Sequence, residues 1–246
     1  MPVLEKILST SSAGYSRLLD AVYPRRCLAC QRWMPRGEPG FLCAECYQSM
    51  EFIVNPCARC GCERGPYSKN TGNCPSCRSV ALHFDSVRSV GAYSTPLKEI
   101  VHALKYRREM AAAPVLGEIL FEAVRDWPGG EFAEVVVPVP LHKARLRRRT
   151  FNQSALIGGI LARRMQLPFS QALARTRMTQ SQTELSPSAR RKNVKDAFAA
   201  ARPKSVKGRQ VLLVDDVITS GATASECAKA LKAAGAARVY AASIAR

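Results

Sequence analysis

Two adjacent carboxylates, Asp215 and Asp216, close an apolar run, Val211-Leu212-Leu213-Val214, and stand two residues before a loop of hydroxyls and glycine, Thr219-Ser220-Gly221-Ala222-Thr223. A helix that starts at such a loop offers unpaired backbone N–H groups and the positive end of its dipole, a setting for an anion. Thr219, Ser220 and Thr223 add hydroxyl donors, and Gly221 lets the backbone close around a phosphate. The carboxylates suit a different group, because they accept hydrogen bonds from sugar hydroxyls. A phosphate beside a ribose accounts for both halves of the motif. The alternative is a strand–helix turn capped by an aspartate, for which one acid would suffice.

A second chemistry lies near the N-terminus. Eight of the ten cysteines form four Cys-x-x-Cys pairs, Cys27/Cys30, Cys43/Cys46, Cys57/Cys60 and Cys74/Cys77. Twelve residues separate the first two pairs and thirteen the last two. Each pair aims two thiolates at one metal, and a hairpin of this length returns a second pair to complete a tetrahedron. Two structural Zn²⁺ sites of the zinc-ribbon kind are expected, built from neighbouring pairs, with a crossed arrangement as the alternative. Other readings are a single occupied site, an iron–sulfur cluster or redox-active pairs. All-cysteine ligation leaves no open position, so the metals hold structure. Cys62 and Cys227 receive no role.

These groups must be positioned by the elements around them. From about residue 83 the pattern reads as alternating strands and helices: a strand at 87–93, a helical stretch from 96 broken near 106–109 and at Pro114, and an apolar strand at 134–140. A helix at 151–165, a strand into Asp215-Asp216, a helix closed by Gly235 and a last strand follow. Unbroken apolar strands between helices predict a parallel sheet covered on both faces. Ligands of such sheets sit at the carboxyl ends of the strands, where residues 215–223 fall. Residues 1–22 carry apolar positions at helical spacing and predict an amphipathic helix. The expected organisation is that helix, a double zinc ribbon over 23–80, and an α/β domain over 83–246.

Lysine and arginine total 37 against 19 acidic residues, a net charge of +18. Residues 1–80 hold 10 basic and 6 acidic residues, leaving 27 and 13 for the α/β part. Such a field favours nucleic acid, phosphorylated metabolites or acidic lipid, unless it is only a solvated surface. The first residues do not read as a signal peptide, and no apolar stretch approaches a membrane span, so a cytoplasmic location is expected.

VLLVDDVITSGAT resembles the phosphoribosyl-pyrophosphate signature of type I phosphoribosyltransferases. VVVPVPLHKARLRRRTFNQ resembles the strand and pyrophosphate loop of the amidophosphoribosyltransferase branch, and RTRMTQSQTELSPSARRKNVKDAF its mobile catalytic hood. ALKYRRE adds an upstream basic element. Behind a double zinc ribbon, this combination is similar to the ComF family of competence-associated proteins. The resemblance implies a type I phosphoribosyltransferase-like α/β fold, a parallel sheet with flanking helices, preceded by a small zinc-ribbon domain.

It also implies roles. Asp215 and Asp216 would hold the ribose, Thr219, Ser220, Gly221, Ala222 and Thr223 the 5′-phosphate, and Leu141, His142 and Lys143 the diphosphate. Arg190 and Arg191, in the hood, would close on the leaving group. Mg²⁺ would accompany phosphoribosyl pyrophosphate. Lys143, Arg145, Arg147, Arg148 and Arg149 crowd the expected pyrophosphate loop, more cations than one diphosphate needs. Lys105 and Tyr106 are further candidates, and His102 and His142 are candidate bases or structural residues. Thr150 replaces a family glycine, so that backbone is expected to be more restricted. The resemblance does not reach a nucleophilic-cysteine glutaminase domain, which argues against purine synthesis.

Displacement of pyrophosphate at the anomeric carbon is the implied reaction, and no residue pattern names the acceptor. Two readings stay open. One is a phosphoribosyltransferase with an unidentified acceptor, implicated in DNA uptake. The other is a non-catalytic sensor, in which ribbons and basic surface hold single-stranded DNA or a DNA-translocating ATPase.

Overall fold

A computed structural model describes residues 25–34, 40–65, 74–78, 80–127, 131–179 and 186–246. The helix expected over 1–22 and the centre of the hood lie outside them.

The elements in chain order are α1 (Ala44–Gln48), β1 (Ser86–Gly91), α2 (Leu97–His102) running into a π-turn (Ala103–Arg107), α3 (Ala112–Val124) and β2 (Val135–Pro138). Then come α4 (Lys143–Arg149), α5 (Gln153–Met165), β3 (Leu173–Arg175), α6 (Pro187–Val194), β4 (Phe198–Ala200), β5 (Gln210–Val217), α7 (Ala222–Ala233) and β6 (Arg238–Ala245). Four strands form one sheet in the order β1-β6-β5-β2, with every neighbouring pair parallel.

Strand alternation divides the core. Leu212 and Val214 of β5, with Tyr240, Ala242 and Ile244 of β6, face α3 and α5 and the first ribbon. Val211 and Leu213, with Val239 and Ala241, face α7 and the antiparallel β3–β4 pair. Both faces are therefore buried, which is why these strands read as continuous apolar runs rather than alternating ones. Helix α7 ends as expected. Gly235, at φ +91°, donates to Lys232 O at 2.9 Å while Ala236 N donates to Leu231 O at 3.0 Å, the two bonds of a Schellman motif.

Three local findings refine the sequence reading. The break in the first long helical stretch is made by Arg108, at φ +58°, and Pro114 falls in the first turn of α3, where its missing N–H leaves no bond unmade. The expected pyrophosphate loop is in large part helix α4. Its arginines, lysine, leucine and alanine are good helix formers, and His142 caps it through Nδ1, which accepts from Ala144 N at 3.3 Å. The antiparallel β3–β4 pair was not anticipated, because three residues per strand are too few for a periodicity to show.

The ribbon is joined to the sheet by main-chain bonds. Ile53 N donates to Val90 O at 3.0 Å and Ala92 N to Glu51 O at 2.9 Å, so residues 51–53 pair with the free edge of β1. Gly91 permits this approach, since a Cβ there would lie 2.5 Å from Glu51 O. Among the described residues no helix is long and apolar enough to cross a membrane.

Candidate functional site

The eight paired cysteines form two clusters from neighbouring pairs: Cys27, Cys30, Cys43 and Cys46, then Cys57, Cys60, Cys74 and Cys77, with all four sulfurs of each within 4.8 Å of one another. A tetrahedral Zn²⁺ with Zn–S near 2.3 Å spaces its sulfurs by about 3.8 Å. The Sγ pairs Cys30–Cys43 and Cys57–Cys77 are each 3.9 Å apart, Cys74–Cys77 3.7 Å and Cys60–Cys74 3.5 Å. The donor set and its spacing fit structural Zn²⁺ at both places. One thiol of each cluster is drawn toward the thiolate by a neighbouring arginine, while burial raises Cys43, Cys46, Cys60 and Cys77. Burial pushes the Cys57 thiol up, but the backbone N–H of Cys60 and the Arg64 guanidinium outweigh it and bring it down to about 5. Burial opposes the same change at Cys30, where Arg32 prevails and lowers the thiol to about 6.

At the carboxyl end of β5 the two aspartates stand on successive strand positions and so address opposite faces of the sheet. Asp215 is buried. Its Oδ1 accepts from Ser154 Oγ, at the start of α5, and from Asp216 N, each at 2.9 Å. Burial raises its carboxyl to about 7, the neighbouring Asp216 adding to the shift while Lys105, Ser154 and the Asp216 N–H oppose it. Asp216 Oδ2 lies 2.7 Å from Lys105 Nζ, and its Oδ1 accepts from Val217 N at 2.7 Å. Burial works against the Lys105 charge, and the aspartates more than offset this, so its pKa is raised.

Beyond β5 the chain turns through Thr219 and Ser220 into Gly221, which caps α7 from the left-handed region at φ +74°. The N-terminus of α7 thus stands beside the two acids, as the motif required. Ser220 Oγ is buried without a hydrogen-bond partner. Arg190 of α6 donates from Nη1 to Thr219 Oγ1 at 2.8 Å, which brings the hood against the loop. Arg191 and Ser220 line a small open recess of about 70 Å³ with Leu82, His83 and Glu226. Leu141, His142 and Lys143 follow β2, the neighbour of β5, with Lys143 exposed. His142 serves as the cap of α4, and His102 Nε2 is 2.9 Å from Tyr93 OH, so both histidines have structural partners.

Residues 152–246 match the phosphoribosyl transferase domain family, and residues 18–78 match the double zinc ribbon domain family. Competence protein F of Haemophilus influenzae is 32% identical over 215 residues, which span 85% of this chain and 92% of that protein. The chain belongs to the ComF family. DNA utilization protein YhgH of Escherichia coli (strain K12) is 33% identical over 220 residues, 88% of this ComF chain and 94% of the relative. Competence protein ComFC of Bacillus subtilis is 26% identical over 145 residues, 58% of this chain and 57% of that one.

The ComF fold gives places at the site to residues that the sequence did not single out. Ser154 reaches Asp215 from 61 residues upstream in sequence. Arg175 of β3 is buried, stacks on Phe198 at 5.2 Å from the ring centre and donates to Thr179 Oγ1. Burial and the nearby Arg145 lower its pKa, and Arg145 is itself lowered by burial and by Arg149 and Arg148. Among the described residues neither arginine has a carboxylate within ion-pair distance, so positive charge accumulates between α4 and β3. The remaining cations of α4 spread over its surface. Arg147 and Arg148 are exposed, and Arg149 lies over the Tyr106 ring at 5.6 Å. Thr150 occupies the left-handed region at φ +73°, where a glycine would sit without strain.

Proposed function

We propose that this chain binds phosphoribosyl pyrophosphate at the carboxyl end of β5 and works, as a phosphoribosyltransferase-like protein of the ComF type, in the cytoplasmic handling of incoming DNA. The observation that carries the reading is the pairing of Asp215 and Asp216 with the N-terminus of α7 across the Gly221 turn. The acids accept the ribose hydroxyls, while Thr219, Ser220, Thr223 and the helix N–H groups take the 5′-phosphate. Leu141, His142 and Lys143 meet the diphosphate from β2, and Arg190 and Arg191 approach from the hood. Mg²⁺ suits this oxygen-rich donor set and neutralises the diphosphate. Departure of pyrophosphate from the anomeric carbon builds negative charge on the leaving oxygens, which the arginines of α4 with Arg190 and Arg191 stabilise. The relatives' names, competence protein F and DNA utilization protein YhgH, support the link to DNA. Single-stranded DNA fits the exposed cations of α4, and a DNA-translocating ATPase is the natural protein partner for such a task.

A sensor reading draws on one observation, the Lys105–Asp216 pair at 2.7 Å. A ribose hydroxyl arriving at Asp216 has to share or displace that ammonium, which couples binding to movement of the π-turn.

Thermal unfolding with phosphoribosyl pyrophosphate and Mg²⁺ tests the assignment. At one hundred times Kd the ligand adds about 2.7 kcal/mol, a rise of several degrees in Tm. The Asp215→Asn, Asp216→Asn double variant should show no rise, and an undiminished rise there removes the site. Pyrophosphate release across a panel of nucleobases and amines then separates enzyme from sensor.

A further inference from the structure

The second ribbon gathers five thiols where a tetrahedral metal takes four. Of the ten cysteines, eight belong to the two clusters, and Cys227 is buried in α7. The remaining one, Cys62, has its Sγ 3.1 Å from Cys74 Sγ and 3.5 Å from Cys60 Sγ. It therefore lies along the Cys60–Cys74 edge of the second cluster, as close to those sulfurs as metal-bound thiolates lie to one another, about 3.8 Å.

The hairpin places it there. Cys57 N donates to Cys62 O at 2.7 Å and Gly61 N donates to Cys57 O at 2.8 Å, while Pro56 and Glu63 pair as an antiparallel bridge. Gly61, at φ +73°, turns the chain between Cys60 and Cys62 so that both thiols point at the cluster. A Cβ on Gly61 would lie 2.8 Å from Val87 O, so this turn is also pressed against β1. No other cysteine in the sequence is left to supplement the first cluster in the same way.

We propose that Cys62 is an exchangeable fifth ligand of the second metal site, replacing Cys77 around a Zn²⁺-class cation. Cys62 borders Cys60 and Cys74, so the ligand it replaces is Cys57 or Cys77. Cys57 is anchored, since its Sγ accepts from Arg64 Nη2 at 3.4 Å and its main chain pairs with Cys62 itself. Cys77 sits on a single turn closed by Cys77 N and Arg78 N donating to Cys74 O at 3.0 Å. In the exchange the metal–sulfur bond to Cys77 breaks as that to Cys62 forms, and the Cys62 proton passes to Cys77. Metal charge and coordination number are unchanged, and no oxidant is needed. A closed four-thiolate site otherwise has to lose a ligand before it can exchange. Cys62 supplies a path that avoids this, so the second site tolerates loss of one ligand where the first does not.

The test uses the full chain, prepared anaerobically with a reductant, with bound metal counted by native mass spectrometry. Cys77→Ser should retain two metals per chain, and Cys77→Ser with Cys62→Ser one. Cys62→Ser alone should retain two, while Cys46→Ser, in the first cluster, should fall to one. Cobalt(II) substitution reads the ligands directly. The second site of Cys77→Ser should keep the charge-transfer absorption of four thiolates and lose part of it when Cys62 is also replaced. A Cys77→Ser chain that drops to one metal, with or without loss of folded structure by circular dichroism, overturns the proposal. So does a three-thiolate cobalt spectrum.

Discussion

Lys105 Nζ stands 2.7 Å from Asp216 Oδ2, with both side chains almost wholly withdrawn from solvent. The pair ties the π-turn that follows α2 to the end of β5, elements otherwise separated by most of the α/β domain. Removing one partner of such a pair strands the other charge, at about 3–5 kcal/mol, whereas replacing both is far milder. Lys105→Met should therefore lower stability by roughly that amount in urea unfolding. Lys105→Met with Asp216→Asn should recover at least half of the loss. A single variant that costs under about 1 kcal/mol would show the pair to be solvated.

Asp215 carries a pH signature. Its carboxyl is raised to about 7 in the folded chain, against about 3.9 when unfolded. Between those values the folded state holds the extra proton, so stability falls as pH rises through the window. Asp215→Asn has no such titration. The stability difference, variant minus parent, should grow by roughly 4 kcal/mol from pH 4 to pH 8 in ligand-free protein. A difference that stays flat across this range would place the titration elsewhere.

Arg147 and Arg148, exposed on α4, give the proposed contact with DNA a quantitative test. Single-strand binding weakens with salt at about 0.7 log unit per phosphate contact. Replacing both arginines by alanine should flatten the slope of log Kd against log salt by roughly 1.4 if each makes one contact. An unaltered slope takes α4 out of the interface.

What the sequence disclosed was contiguous. The acids, the loop and the start of α7 lie within nine residues, 215–223, and the cysteine spacings announced which pairs share a metal as the simpler of two arrangements. Strands β5 and β6 were plain because burial on both faces demands unbroken apolar runs. Ser154 lies outside every motif, and Arg175 opens the hood stretch without being singled out, because their roles arise only when α5 and β3 are packed into the domain. Lys105 was noticed, but its ion pair with Asp216 depends on the π-turn, whose register no local periodicity encodes. Cys62 was set aside as a spare thiol, since a Cys-x-x-Cys count gives no reason to look between pairs. The cluster of cations at 143–149 was read as a loop through family likeness, although its composition is that of a helix. Thr150 was expected to be restricted, and it stands at φ +73°.

The main-chain bonds between residues 51–53 and β1 join metal supply to solubility. A strand left without a neighbour offers unpaired N–H and C=O groups to any other extended chain. The second knuckle, which follows residues 51–53, buries little beyond its own cysteines and Leu82, so its cation has to hold it in place. Zinc starvation would then uncover the border of the sheet and turn a folded α/β domain into a template for self-association, even with every residue around Asp215 and Asp216 intact.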